Sequence, residues 1–219
     1  MELEQIRAYL DSPDAQQRMR AIVELRNYNP TIVVPLLKQR MYDQELLIRS
    51  FVAIGFGKKR NEEAFEALLN LIEYDRDYNI IAEAANSLAQ YGDRALPYLV
   101  NLFQYNHHWL IRQSILAAIA DMNQPDILLK LSSWGLQGND LVVKLGSISN
   151  LGKLATTNYA DQALTILLTL VDDSEVQIRI EVAKTLDNFK DFVEAQTALT
   201  QFRQDSDYRV IGATLESLL

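Results

Sequence analysis

Cysteine is absent from the 219-residue chain. That excludes disulfides, thiolate metal sites, cysteine-held iron–sulfur clusters and a cysteine nucleophile. Glycine and proline are scarce, at 8 and 5 residues, which argues against disorder and against an all-β fold with its many turns. Positive charge is in deficit: 21 Lys and Arg stand against 29 Asp and Glu, for a formal net charge of −8. Phosphate binding needs clustered Lys and Arg, and the longest basic run is Lys58-Lys59-Arg60, so no nucleic-acid partner is expected. No apolar run reaches the length of a membrane span. The acidic, amphipathic start MELEQIRAYL is unlike a basic, apolar signal segment, and a cytoplasmic protein is expected. Gly-rich phosphate loops, HExxH and GxSxG are missing. Carboxylates are plentiful but scattered, so no catalytic residue is singled out, and hydrolase or kinase chemistry is disfavoured.

What the chain does have is self-similarity. RMRAIVELR, IRSFVAIGFG, IIAEAANSLA, IRQSILAAIA, VKLGSISNLG, RIEVAKTL and DYRVIGATLESL share one pattern, with register points at Arg18, Arg49, Ile81, Arg112, Lys144, Arg179 and Arg209. Each point opens a helix whose apolar residues recur at intervals of three and four. Before most of them lies another apolar helix, such as VVPLLKQRM, AFEALLNLI or ALTILLTLV, joined to the next by a short polar turn. A single helical hairpin cannot bury its apolar faces, but stacked neighbours bury them for each other. The expected fold is therefore all-α, a right-handed α-solenoid of six to seven hairpins, in a single domain over residues 1–219.

This pattern resembles the HEAT repeat family. The likeness is carried by turn aspartates Asp43, Asp75 and Asp173, by Arg49 and Arg179 six residues after two of them, by the Ala/Leu pattern that follows, and by the first-helix prolines Pro35 and Pro97. The resemblance implies a structural Asp–Arg ladder between repeats, with Asp43, Arg49, Arg112, Asp173 and Arg179 as members. Asp75 has no arginine six residues on, and Arg112 follows Asn106 rather than an aspartate, so the ladder is expected to break mid-chain. The segments DSPDAQQRMRAIVELRNY, IEYDRDYNIIAEAANSLAQYG and DDSEVQIRIEVAKTL, in an acidic, cysteine-free chain, resemble the cyanobacterial phycobilin lyases of the E/F type and the related HEAT proteins of phycobilisome degradation. That resemblance implies a crevice for a bilin or a phycobiliprotein helix, with the reacting cysteine on the client. It assigns bilin propionates to Lys58, Arg60 or Lys153 and the rings to Phe51, Ile54 or Trp109.

Solenoids work through the face made by their second helices. Positions +2, +5 and +9 from each register point should be open, and the candidate partner- or ligand-binding residues there and at the edge are Phe51, Ile54, Lys58, Arg60, Glu83, Asn86, Trp109, Ser114, Ala117, Ser149 and Lys153. Phe51 and Ile54 place apolar surface where a solvated face would carry charge. The chain's two histidines, His107 and His108, are adjacent and so face different ways on a helix. A helical metal pair would be spaced i, i+4, so they are assigned to a turn and no metal is expected. Trp134 is assigned to packing. Tyr42, Tyr74, Tyr78 and Tyr105 form an aromatic strip or pack against neighbouring turns. Three functions stay open: an adaptor that holds a protein client, a bilin lyase or chromophore-detachment factor with a bilin as transient ligand, and a scaffold for iron–sulfur or photosystem assembly. The oligomeric state also stays open, with the amphipathic end ATLESLL offering a dimer contact.

Overall fold

The computed structural model describes residues 1–215, and every regular element among them is helical. The dimer contact suggested for ATLESLL falls mainly on residues 216–219, outside the described ones. Contacts divide the chain into two compact units, Met1–Ile115 and Leu116–Leu219.

The first unit holds α1 (Leu3–Leu10), α2 (Ala15–Glu24), α3 (Pro30–Lys38), α4 (Leu46–Lys58), α5 (Glu62–Tyr74), α6 (Tyr78–Ala89), α7 (Leu96–Tyr105) and the first turns of α8 (Trp109–Ala120). The second holds the rest of α8, then α9 (Pro125–Leu136), α10 (Leu141–Gly152), α11 (Ala160–Leu168), α12 (Val176–Leu186), α13 (Val193–Phe202) and α14 (Tyr208–Ala213). Helix starts follow from local chemistry. The side chains of Asp14, Asn61, Asp77, Asp140 and Asp207 accept first-turn N–H groups that the helix leaves without a partner. Pro30 and Pro125 open α3 and α9, where the missing N–H costs nothing. Pro35 sits inside α3.

The repeat register accounts for the core. From Arg18 to Arg179, the residues at +3, +4 and +7 of every register point are buried, Phe56, Leu88, Ile119 and Leu186 among them. In the first unit α2 packs on α4 and α4 on α6, with first helices α3 and α5 in contact behind them. In the second unit α10 packs on α12 and α12 on α14, with α11 against α13. Gly57 permits the α4–α6 approach, because a Cβ there would stand 2.9 Å from the Ser87 Cβ and 3.1 Å from its Cα.

Candidate functional site

The turn arginines bond in two directions. Arg18 Nε and Nη2 each donate to the Asp43 carboxylate at 2.8 Å, while Nη1 donates to the carbonyls of Ser12 and Pro13. Arg49 repeats this with Asp75 at 2.8 and 3.4 Å and with the Asp43 carbonyl at 2.9 Å. Arg179 does so with Asp205 at 2.8 and 3.1 Å and with the Asp173 carbonyl at 2.8 Å. Each aspartate also accepts the N–H two residues on, from Glu45, Asp77 and Asp207. Burial works to raise the Asp43 carboxyl, but the bonds from Arg18 and the Glu45 N–H outweigh it and hold it below the ordinary carboxylate range. At Asp205 the bond from Arg179 is the main cause of the same lowering.

This geometry corrects the sequence reading in three places. Arg18 and Asp205 belong to the ladder. Asp75 does have an arginine, Arg49, which reaches it from the preceding hairpin. Arg179 touches only the backbone carbonyl of Asp173, whose carboxylate caps its own turn through the Glu175 N–H. Each rung therefore runs forward by 25 or 26 residues. Arg112 instead turns back, donating to the Asn106 carbonyl at 3.0 Å and meeting His107 Nδ1 at 2.6 Å. A guanidinium only donates, so His107 accepts at Nδ1. In the register, Gly138 stands where the next aspartate would be.

His107 and His108 lie in the turn before α8. The His108 ring stacks on Tyr78 at 3.8 Å, beside Trp109. No group of His, Asp or Glu able to hold a metal ion occurs among the described residues. Trp109, Tyr42, Tyr74, Tyr78 and Tyr105 are exposed. Trp134 is half-buried, with Lys130 Nζ 4.7 Å above its ring.

The +2, +5 and +9 positions are all exposed or half-buried from Arg18 to Arg179. Among the candidates on them, Phe51, Ile54 and Lys58 come together. They line an apolar hollow of about 250 Å³ with Ile22, Val23 and Arg26 on one side, Val33 and Leu37 at its floor, and Lys59 at its end. Phe51 is 37 % exposed although flanked by apolar neighbours. Gly55 lets the floor close, since a Cβ there would stand 2.5 Å from Leu37 Cδ1. Lys59 Nζ donates to the carbonyls of Arg26 and Tyr28 at 2.7 Å each, tying the end of α4 to the turn after α2. A second hollow lies on the same two helices, lined by Gln16, Met19 and Arg20 of α2, Glu45 before α4, and Leu47 of α4.

The other candidates lie away from this hollow. Arg60 Nη1 donates to the Gln90 carbonyl. Burial raises the Glu83 carboxyl above its ordinary range, and a bond with Asn86 offsets this only in part. Ser114 is half-buried and Ala117 exposed. In the second unit, burial likewise raises the Glu181 carboxyl, against the pull of Lys184 and a bond with Ser149. Lys153 Nζ lies 3.8 Å from Asp121. Val23 stands at the open +5 position of Arg18 but was not among the candidates, and Arg26 and Leu47 were missed. Arg26 stands at +8 and Leu47 four residues before Phe51, and the helical period alone would have placed Leu47 on the Phe51 stripe.

Stacked helical hairpins of this kind define the α-solenoid class of repeat protein. Residues 34–120 match the family model of the HEAT repeats. Among curated proteins, none matches the chain in sequence. Among solved structures, the chain is similar to YibA of E. coli, at 16 % identity and a TM-score of 0.63, over 100 % of this chain and 84 % of that one. It is also similar to the complex of CpcE and CpcF, the phycocyanin lyase of a Nostoc species, at 19 % identity and a TM-score of 0.54, over 100 % of this chain and 95 % of that one. At such identities the likeness is one of fold. No helix among the described residues is long and apolar enough to cross a membrane.

Proposed function

We propose that the chain is a HEAT-like adaptor, without catalytic chemistry of its own, that holds a segment of a client protein in the groove between α2 and α4. The observation that carries this reading is the groove itself. Phe51 lies open and Ile54 half-buried over an apolar floor with cations at its end, and an apolar surface kept open in this way marks an interaction site. The hollow measures about 250 Å³, below the roughly 300–1,000 Å³ that encloses a drug-sized ligand. It suits a few side chains of a client better than a whole tetrapyrrole. The fold likeness to the phycocyanin lyase makes a phycobiliprotein the first client to try.

The test places a photo-crosslinking residue at position 54 in source cells and compares it with the same chain carrying Phe51→Asp. One protein trapped in near-stoichiometric amount, and lost with Phe51→Asp, supports the adaptor and identifies its client. A visible absorbance band in the bound fraction, persisting without a protein partner, replaces it with the bilin-handling reading. Phe51→Asp should leave helicity and Tm nearly unchanged, because the side chain is open to solvent. Unfolding of that variant would make Phe51 a core residue and remove the basis of the proposal.

A further inference from the structure

Resting on the groove as a client site, we infer that its occupant is an amphipathic helix whose carboxylates lie at one end. The shape of the groove comes first. Leu47, Phe51, Ile54 and Lys58 are spaced by four, three and four residues, which puts them on one face of α4. Leu47 is 60 % exposed and Phe51 37 %, so the stripe is open to solvent. At 1.5 Å per residue it runs about 16 Å, or three helical turns. Met19 and Val23 of α2 lie along the facing wall. A trough that follows two packed helices is filled by the side-chain ridge of a third.

Charge then sets the direction. The hollow at the C-terminal end of α4 is bordered by Arg26, Lys58 and Lys59 and by no carboxylate, in a chain whose net charge is −8. Lys59 is bonded to backbone carbonyls. The Arg26 and Lys58 side chains have no partner among the described residues. At the other end Arg20 shares its hollow with Glu45, so charge there is balanced. Carboxylates on the occupant's first turn would meet Arg26 and Lys58 and also the positive end of the occupant's own helix dipole. The occupant then runs antiparallel to α4, its acidic N-terminus at Lys58 and its apolar face over Ile54, Phe51 and Leu47.

Two fluorescent synthetic peptides of about 14 residues test this. They share one leucine pattern and differ only in a first turn of Glu or of Lys. Each is titrated by anisotropy against the full chain at low and physiological salt. The acidic peptide should bind at least about tenfold tighter, with the margin shrinking as salt rises. The double variant R26E/K58E should invert the preference, and R26Q/K58Q should abolish it, both with circular dichroism unchanged. Equal binding of the two peptides, or a preference that survives R26E/K58E, overturns the inference. So does self-association of the chain that Phe51→Asp abolishes, which makes a second copy the occupant. If Phe51→Asp removes client crosslinking while both peptides bind alike, the groove remains a client site and only its acidic specificity falls. If Phe51→Asp alters neither, both proposals fall.

Discussion

Arg18 and Asp43 have side chains 5 % and 4 % exposed, so removing either leaves a charge buried without its counter-ion. Such a loss costs about 3–5 kcal/mol. Asp43→Ala should lower the urea-unfolding free energy by about 3 kcal/mol. The exposed Arg94–Glu62 pair is different, and Glu62→Ala should shift the urea midpoint far less than Asp43→Ala does. The same rungs set the acid limit. Asp43, Asp205 and Asp207 all have lowered pKa values, Asp207 at about 2 through its bonds from Arg209. Between the ordinary carboxylate value of about 4 and these lower values, the unfolded chain binds more protons than the fold. Stability from these groups is therefore complete above about pH 4 and is lost as pH falls toward about 2. Unfolding midpoints across that range should drop steeply for the native chain and less steeply for Asp43→Asn. Glu83 and Glu181 have the opposite sign, since burial raises them. The stability they contribute is present in acid and lost as pH rises through the raised value. Glu83→Gln should raise Tm at neutral pH and leave it unchanged at about pH 3, where both states carry the proton. An equal gain at both pH values would show that burial of the charge is not the cause.

Among the helices, α4 carries the most constraints. Its inner stripe makes the groove, Gly55 admits Leu37, and Gly57 admits Ser87 of α6. Alanine is favoured over glycine in a helix by about 1 kcal/mol, yet Gly57→Ala should destabilise by about 1–2 kcal/mol, because the new Cβ meets α6 backbone and side chain. Adding Ser87→Gly should recover part of that loss, and additive losses would show that the two sites do not touch. The hairpin count, the buried +3, +4 and +7 positions and the openness of Phe51 were legible in the sequence, because they follow from helical period alone. The rungs were only half legible. Period locates Arg49 and Asp75, but their bond depends on how one hairpin sits on the next, which no local pattern records. The groove was half legible for the same reason: Phe51, Ile54 and Lys58 share a helix, whereas Val23 and Arg26 reach it from α2. Glu83 and Asn86, chosen by the register, and Arg60, chosen at the edge, have partners of their own outside the groove.

Across the whole chain, charge and rungs are both unevenly spread. Residues 1–115 carry 13 basic and 15 acidic residues, and residues 116–219 carry 8 and 14. The first unit is thus nearly neutral, and the acidic occupant proposed for its groove would meet little net repulsion there. Rungs join Arg18 to Asp43, Arg49 to Asp75 and Arg179 to Asp205. The turns near Asn106 and Gly138 lack a carboxylate in the rung position. Hydrogen exchange should be faster at residues 106–112 and 138–144 than at 43–49 and 173–179, and equal rates would show that the rungs do not stiffen the turns. The forward direction of the rungs has a further consequence. The turn of α3 and α4 holds both an acceptor for the hairpin before it, Asp43, and a donor for the hairpin after it, Arg49. A hairpin with both fittings can be copied or excised in register and the charges on either side still find each other. The α3–α4 hairpin can thus be gained or lost as a whole without leaving a buried charge unpaired.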